Sequence, residues 1–221
     1  MTKLTAFSYS RLNAYEECPK KYHAISVAKS HKEPPSETTD YGTEVHQHFA
    51  NFFKKGTPLP LHLQQYGKYL AKIKQYPGVF ITEQKLAINA DYEPTGWFDG
   101  DVYCRIISDL TILNGTNGAM FDWKTGKMKD DFLQLRLAGA VMFLLVPELQ
   151  RIMLAYFWTK TKKITKEVLT REQMPGVWSE LIPRIQRYHN AHVNHDFPPR
   201  QSWLCGYCPV NSCPYWEPRR K

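Results

Sequence analysis

Residues 102–124 constrain the fold more than any other stretch of the chain. They read as two apolar-rich strands joined through Asn114-Gly-Thr-Asn-Gly118, a short Asn- and Gly-containing connection of the kind that closes a tight β-hairpin. With Gly115 and Thr116 as the two central residues of a type II′ turn, glycine stands first, where that turn needs a positive φ. The resulting register sets Asp109 directly opposite Asp122. Facing residues on neighbouring strands have Cβ atoms about 4.5–5.5 Å apart, so the two carboxylates come within reach of one divalent cation. Strand alternation puts Lys124 on the face of Asp122 and turns Trp123 to the other.

Two carboxylates and a lysine on one patch of sheet can do specific chemistry. Hard oxygen ligands suit Mg²⁺ or Mn²⁺, which activate a bound water and offset charge on a phosphoryl group. The lysine can orient that water or meet developing negative charge. The same residues could equally form a salt bridge on a solvated sheet face, but the apolar flanks Ile106, Ile107, Met120 and Phe121 favour a buried patch. Asp99 and Asp101 compete with Asp109 as second carboxylate; beside Gly96 and Gly100 they read as a loop.

Around the hairpin, Ser8 or Ser10 caps a short helix with Leu12, Tyr15 and Tyr22 as its buried stripe. A polar loop with Pro34-Pro35 leads to a helix over 42–55, capped by Asp40, closed by Gly56 and facing the core with Val45, Phe49 and Phe52. Further helices are predicted over 61–75, 132–146 and 178–192. Strands are predicted over 79–88, 102–113, 119–124 and 151–158, with a second Asn-Gly turn at Asn117-Gly118. This order predicts an α/β fold, a central mixed β-sheet flanked by helices, over 1–221 as a single domain.

Of the 221 residues 43% are hydrophobic, enough for a core and too many for a disordered chain. No apolar run reaches the roughly 18 residues of a membrane span; the longest candidate, 133–146, is interrupted by Gln134 and Arg136. The opening Met1-Thr-Lys-Leu-Thr has no apolar signal core, so a cytoplasmic, membrane-free protein is expected. Lys and Arg number 29 against 21 Asp and Glu, a net charge of +8, which suits a polyanionic partner. The phosphate-binding glycine loops of nucleotide enzymes are absent, so no nucleotide cofactor is expected.

Five cysteines without a signal peptide argue against a disulfide scaffold. Cys205, Cys208 and Cys213 lie close together in a proline-rich tail, and Cys18 is available as a fourth ligand for a tetrahedral site. Zinc and an iron–sulfur cluster both suit four thiolates. Cys104, in Val102-Tyr-Cys-Arg-Ile, reads as a buried apolar residue.

Asp109 followed by Asp122-Trp-Lys124-Thr-Gly-Lys127 resembles the core of the PD-(D/E)xK nucleases, whose fold is restriction-endonuclease-like, and their RecB-like branch in particular. Three other features are similar to that branch. Ser8-x-Ser-x-Leu-x-x-Tyr-x-x-Cys18-Pro-x-x-Tyr22 resembles its N-terminal signature. Gly42-Thr-Glu-Val-His46 resembles its GxxxH helix, where the histidine is a metal ligand, and Gln134-Leu-Arg-Leu137 resembles its glutamine motif. Alanine at 138 departs from the tyrosine often found there.

The resemblance implies a metal-dependent DNA exonuclease, acting on single-stranded ends in recombination, repair or phage DNA processing; a phage enzyme would work in the host cytoplasm. His46, Asp109, Asp122 and the Trp123 carbonyl would hold Mg²⁺ or Mn²⁺, with Glu83 as a lesser ligand, Lys124 as water-positioning group and Gln134 as support. Cys18 with Cys205, Cys208 and Cys213 would hold a 4Fe–4S cluster joining the chain ends 1–30 and 200–216, as in AddB-type and CRISPR-adaptation nucleases. Arg136 is the cation singled out for DNA contact. Lys20-Lys21, Lys54-Lys55, Lys127 with Lys129, Lys160 with Lys162-Lys163, and Arg219-Arg220-Lys221 are basic clusters that could follow a phosphate backbone. The alternatives are a CRISPR-adaptation-type nuclease serving a partner complex and a non-catalytic DNA-binding module with a structural Cys₄ metal.

Overall fold

The computed structural model describes residues 5–217; the opening Met1-Thr-Lys-Leu and the basic Arg219-Arg220-Lys221 lie outside them. The elements follow as α1 (Tyr9–Glu17), α2 (Pro19–Tyr22), α3 (Glu37–Lys55), α4 (Gly67–Ile73), β1 (Val79–Asn89), β2 (Val102–Asn114), β3 (Asn117–Lys124), α5 (Leu133–Leu145), β4 (Arg151–Trp158), β5 (Lys163–Thr170) and α6 (Met174–Val193), with short 3₁₀ and π turns between. The chain divides into two compact units, residues 36–180 and the segments on either side. Both predicted cluster-binding ends, 1–30 and 200–216, fall in the flanking unit.

The unit 36–180 is built on a mixed five-stranded sheet in the order β1-β2-β3-β4-β5, the α/β core expected from the sequence. The β1–β2, β2–β3 and β4–β5 pairs are antiparallel, and β3–β4 is parallel. Parallel neighbours need a crossover, and α5 supplies it. At Gly139 the helix approaches so closely that an added Cβ would stand 3.1 Å from Leu169 and 3.3 Å from Ile152 and Leu154. An aromatic-rich cluster packs α3 and α4 on the sheet: Val45, Phe49, Leu70 and Ile73 meet Leu110, Ile112, Phe121, Trp123 and Phe157.

The β2–β3 hairpin keeps the predicted register, with Leu110 opposite Phe121 and Asn114 opposite Asn117. Gly115 has φ of 57° and Thr116 is not among the positive-φ residues, which fits a II′ turn and excludes I′. Asn117-Gly118 is no second turn: it opens β3, because the tight turn is already complete. The cap of α3 is Ser36, whose oxygen accepts from the Thr39 N–H, and Asp40 lies inside the first turn, where a carboxylate still favours the helix dipole. The predicted helix over 61–75 is a 3₁₀ turn, Leu61–Tyr66, followed by α4. Strand β5 was not predicted; it is an edge strand whose Lys163, Lys166 and Glu167 mask its alternation, as edge strands often do.

In the flanking unit Ser8 caps α1, and Glu16 of α1 receives Arg184 of α6 at 2.6–3.1 Å. The hydroxyls of Tyr22 and Tyr188 lie 2.6 Å apart. Cys18 closes α1 and precedes Pro19, the first residue of α2. No described helix is long and apolar enough to cross a membrane.

Candidate metal centre and nuclease site

Register, rather than loop chemistry, assembles the candidate site. On β1 and β2, Thr82 faces Leu110 and Gln84 faces Ser108, so Glu83 comes level with Asp109. On β2 and β3, Leu110 faces Phe121, so Asp109 comes level with Asp122. One carboxylate from each of three adjacent strands thus forms a row across the sheet. Leu110, Phe121 and Trp123 turn to the opposite face and into the aromatic cluster.

The ladder opens at this row. Neither Glu83–Asp109 nor Asp109–Asp122 is a paired position; instead Asp109 Oδ2 accepts the Trp123 N–H at 2.8 Å. Glu83 has φ of 50°, a left-handed conformation that costs a non-glycine residue about 1–2 kcal/mol. Strain of this kind persists where surroundings impose it, commonly at functional sites.

Helix α3 brings His46 to the row. A carbonyl only accepts, so Nε2, 2.8 Å from the Trp123 oxygen, carries a proton, while Nδ1 lies 3.1 Å from Asp109 Oδ1. Burial disfavours a charged imidazole here. The bond to Asp109, the charges of Asp109 and Asp122, and the Trp123 carbonyl outweigh it, so the His46 pKa lies above the ordinary histidine value. Gly42, one turn earlier, sits where an added Cβ would be 3.3 Å from Thr125 Oγ1. The glycine four residues before the histidine therefore lets α3 lie against the end of β3. Nothing in the sequence pointed to Thr125, since the contact exists only once the helix is docked.

Asp122, Lys124 and Gln134 form a second group. Asp131 Oδ1 accepts the Leu133 N–H at the start of α5, and Gln134 follows in its first turn. Its Nε2 donates to Asp122 Oδ1 at 3.0 Å, and its Oε1 accepts from Lys124 Nζ at 2.9 Å. Lys124 Nζ also stands 2.8 Å from Asp122 Oδ2 as an ion pair. Lys124 thus engages Oδ2 while Gln134 engages Oδ1. Burial and then Asp109 push the Asp122 carboxyl up to about 6 against the pull of Lys124 and His46. Burial and Asp109 likewise raise the Glu83 carboxyl, with His46 opposing.

These residues fit a divalent cation. The ligand atoms of His46, Glu83 and Asp109 lie within 4.8 Å of one another. Asp122 stands beside them, and crowded carboxylates with raised pKa values are what a positive charge relieves. Among the other predicted residues, Asp99 is taken up by Gly96 and Thr95, and Asp101 by Thr95. Arg136 is held by two 2.7 Å bonds to Glu167 of β5, an engagement invisible while β5 was unrecognised.

The four cysteines of the flanking unit are free thiols and do not form a comparably tight group among the described residues. Arg200 N–H donates to Cys18 Sγ at 3.4 Å and Ser202 N–H to Cys205 Sγ at 3.3 Å. Burial first, then Cys18 and Cys213, raise the Cys208 thiol against the Val210 N–H and Lys21. Cys104 is fully buried, as expected.

Residues 6–106 match the family model of the PD-(D/E)XK nuclease superfamily. The match takes in Gly42, His46 and Glu83 and ends before Asp109. Asp109, Asp122 and Lys124 lie beyond the matched stretch, and the fold brings them beside His46 and Glu83. The chain is similar over 93% of its length to a crystal structure from Eubacterium rectale provisionally described as an exonuclease, covering 88% of that chain at 17% identity and a TM-score of 0.53. A second solved chain, SSO0001, aligns over 90% of this chain and 83% of its own, at 16% identity and a TM-score of 0.42. No curated protein sequence matches. The five-stranded mixed sheet flanked by helices is consistent with the α/β core of that superfamily.

Proposed function

We propose that the protein is a metal-dependent deoxyribonuclease that hydrolyses phosphodiester bonds, acting as an exonuclease on single-stranded DNA ends. The observation that carries this reading is the row of Glu83, Asp109 and Asp122 on three adjacent strands with His46 at one side and Lys124 at the other. His46, Glu83, Asp109, Asp122 and the Trp123 carbonyl would hold Mg²⁺ or Mn²⁺. A cation so bound supplies Lewis acidity toward a phosphoryl oxygen and a more acidic water.

The chain's own groups do the positioning. Gln134 fixes Lys124 by accepting one of its protons, leaving the ammonium to orient a water or meet charge on the phosphate. By donating to Asp122 Oδ1, the same glutamine fixes the orientation of that carboxylate beside Asp109. The exonuclease description of the E. rectale protein supports end-directed action, and the net charge of +8 suits a nucleic-acid substrate.

End-labelled single- and double-stranded DNA incubated with Mg²⁺ or Mn²⁺, beside Asp122→Asn, tests this. Metal-dependent cleavage that the variant loses is the expected result. Binding without cleavage by the wild type in both metals would overturn it in favour of a DNA-binding module. We also propose a 4Fe–4S cluster on Cys18, Cys205, Cys208 and Cys213, on the strength of the donor set and the two backbone N–H groups aimed at its sulfurs. Anaerobically purified protein should then absorb broadly in the visible and contain iron; a colourless, zinc-loaded preparation would replace the cluster with zinc.

A further inference from the structure

Helix α3 carries two faces. Val45 and Phe49 enter the aromatic cluster, while Thr39, Thr43, Gln47, Asn51 and Lys55 recur every fourth residue on the other side, a spacing that aligns side chains into one ridge. The ridge runs 16 residues, about 24 Å at 1.5 Å per residue. It lines a groove of about 870 Å³ that also takes in His46, midway along the helix, and Thr82, Glu83 and Thr125.

The chemistry of this groove is that of an unsatisfied backbone reader. Among the described residues the Gln47 and Asn51 side-chain amides have no hydrogen-bond partner, and Lys54 and Lys55 have no carboxylate within ion-pair distance. Elsewhere Lys21, Arg136 and Arg184 are spent on Glu33, Glu167 and Glu16. Glu83 is the one acidic residue among the described lining residues, and no Phe, Tyr or Trp is among them, which suits contact with phosphate and sugar rather than base stacking. The volume lies within the several-hundred-ångström-cubed range of small-ligand sites, room for one strand and not for a duplex.

We propose that this groove is the path of the strand being cut. A single DNA strand lies along α3 with phosphates at Lys54 and Lys55, its sugars and base edges within reach of Gln47 and Asn51, and it arrives at the carboxylate row beside His46. The proposal rests on the nuclease reading and adds its substrate-positioning residues.

Affinity for a fluorescent single-stranded oligonucleotide, measured with Ca²⁺ replacing the catalytic ion, separates the two claims, with cleavage in Mn²⁺ measured in parallel. Lys54→Glu/Lys55→Glu should weaken binding at least tenfold at about 0.1 M salt. Lys54→Ala/Lys55→Ala should reduce the slope of log affinity against log salt by about 1.4, the value for two lost single-strand phosphate contacts. The equally charged Lys68→Glu/Lys72→Glu control, on α4 and outside the groove lining, should stay within twofold of wild type. Gln47→Ala/Asn51→Ala, which leaves the helix charge alone, should raise KM severalfold with kcat little changed. Groove variants that bind and cut like the control, while the wild type does both, would refute the path and leave the nuclease intact. A wild type that neither binds nor cuts single strands would remove both readings.

Discussion

Asp122→Asn should make the metal-free protein more stable at neutral pH while destroying metal binding. Asp122 is 9% exposed and its carboxyl is pushed up to about 6 from an ordinary 3.8 by burial and then by Asp109, against Lys124 and His46. Between those two pH values the folded carboxyl holds a proton that the unfolded one has released, so wild-type stability falls as pH rises through the window. A shift of about two units corresponds to about 3 kcal/mol, fully developed above pH 6 and absent below pH 4. The asparagine does not titrate, and Gln134 Nε2 can still donate to its amide oxygen. The stability difference, variant minus wild type, should therefore move by about 2 kcal/mol in the variant's favour between pH 4.5 and 7.5, about 1 kcal/mol of the total having developed by pH 4.5. Urea unfolding in EDTA at the two pH values measures it. With Mn²⁺ the order should reverse, because ligand binding stabilises only the form that binds it. A difference that stays constant with pH would mean that Asp122 is ionised without penalty in the folded chain, and the argument for a charge-relieving cation would fall with it.

Gln134→Ala should remove both contacts that hold Asp122 and Lys124, costing about 2 kcal/mol by denaturant unfolding and lowering cleavage more than DNA affinity. Gly42→Ala should be nearly neutral, helix propensity offsetting the 3.3 Å approach to Thr125; Gly42→Leu should displace α3 and weaken Mn²⁺ binding, read by calorimetry, by tenfold or more. The raised pKa of His46 stabilises the metal-free fold fully below the ordinary histidine value, and that contribution disappears as pH rises through the folded value. Melting temperatures of the wild type in EDTA should accordingly drop above about pH 6.5, and those of His46→Gln should not.

Much of this site could be read from the sequence because strand alternation is a strict code. Once Gly115 fixed the turn, Asp109, Asp122, Lys124 and Trp123 had determined faces, and the Gly42-x-x-x-His46 spacing needed only a helix. Glu83 was legible as a strand residue but not as a left-handed one, since nothing in a glutamate announces positive φ. The pairing of Arg136 with Glu167 was not legible because Glu167 sits on an edge strand whose charges hide its period. The cap moved from Asp40 to Ser36 because several residues in that stretch can cap, and local propensity does not choose among them. The cysteines were legible as a set, whereas the distances between their sulfurs depend on segments with little regular structure.

The II′ turn at Gly115-Thr116 has a practical consequence. It lies six residues beyond Asp109, about 20 Å along an antiparallel strand, and an added Cβ at Gly115 meets nothing within 4 Å. Extra residues at the tip lengthen the loop without changing which strand residues face each other, whereas a single residue inserted between Asp109 and the tip flips every side chain beyond it to the other face. The tip is therefore a place where the chain can be tethered to a bead or fused to a reporter with its carboxylates still aligned. The interval between the two aspartates is thus a matter of loop length and carries no chemistry of its own.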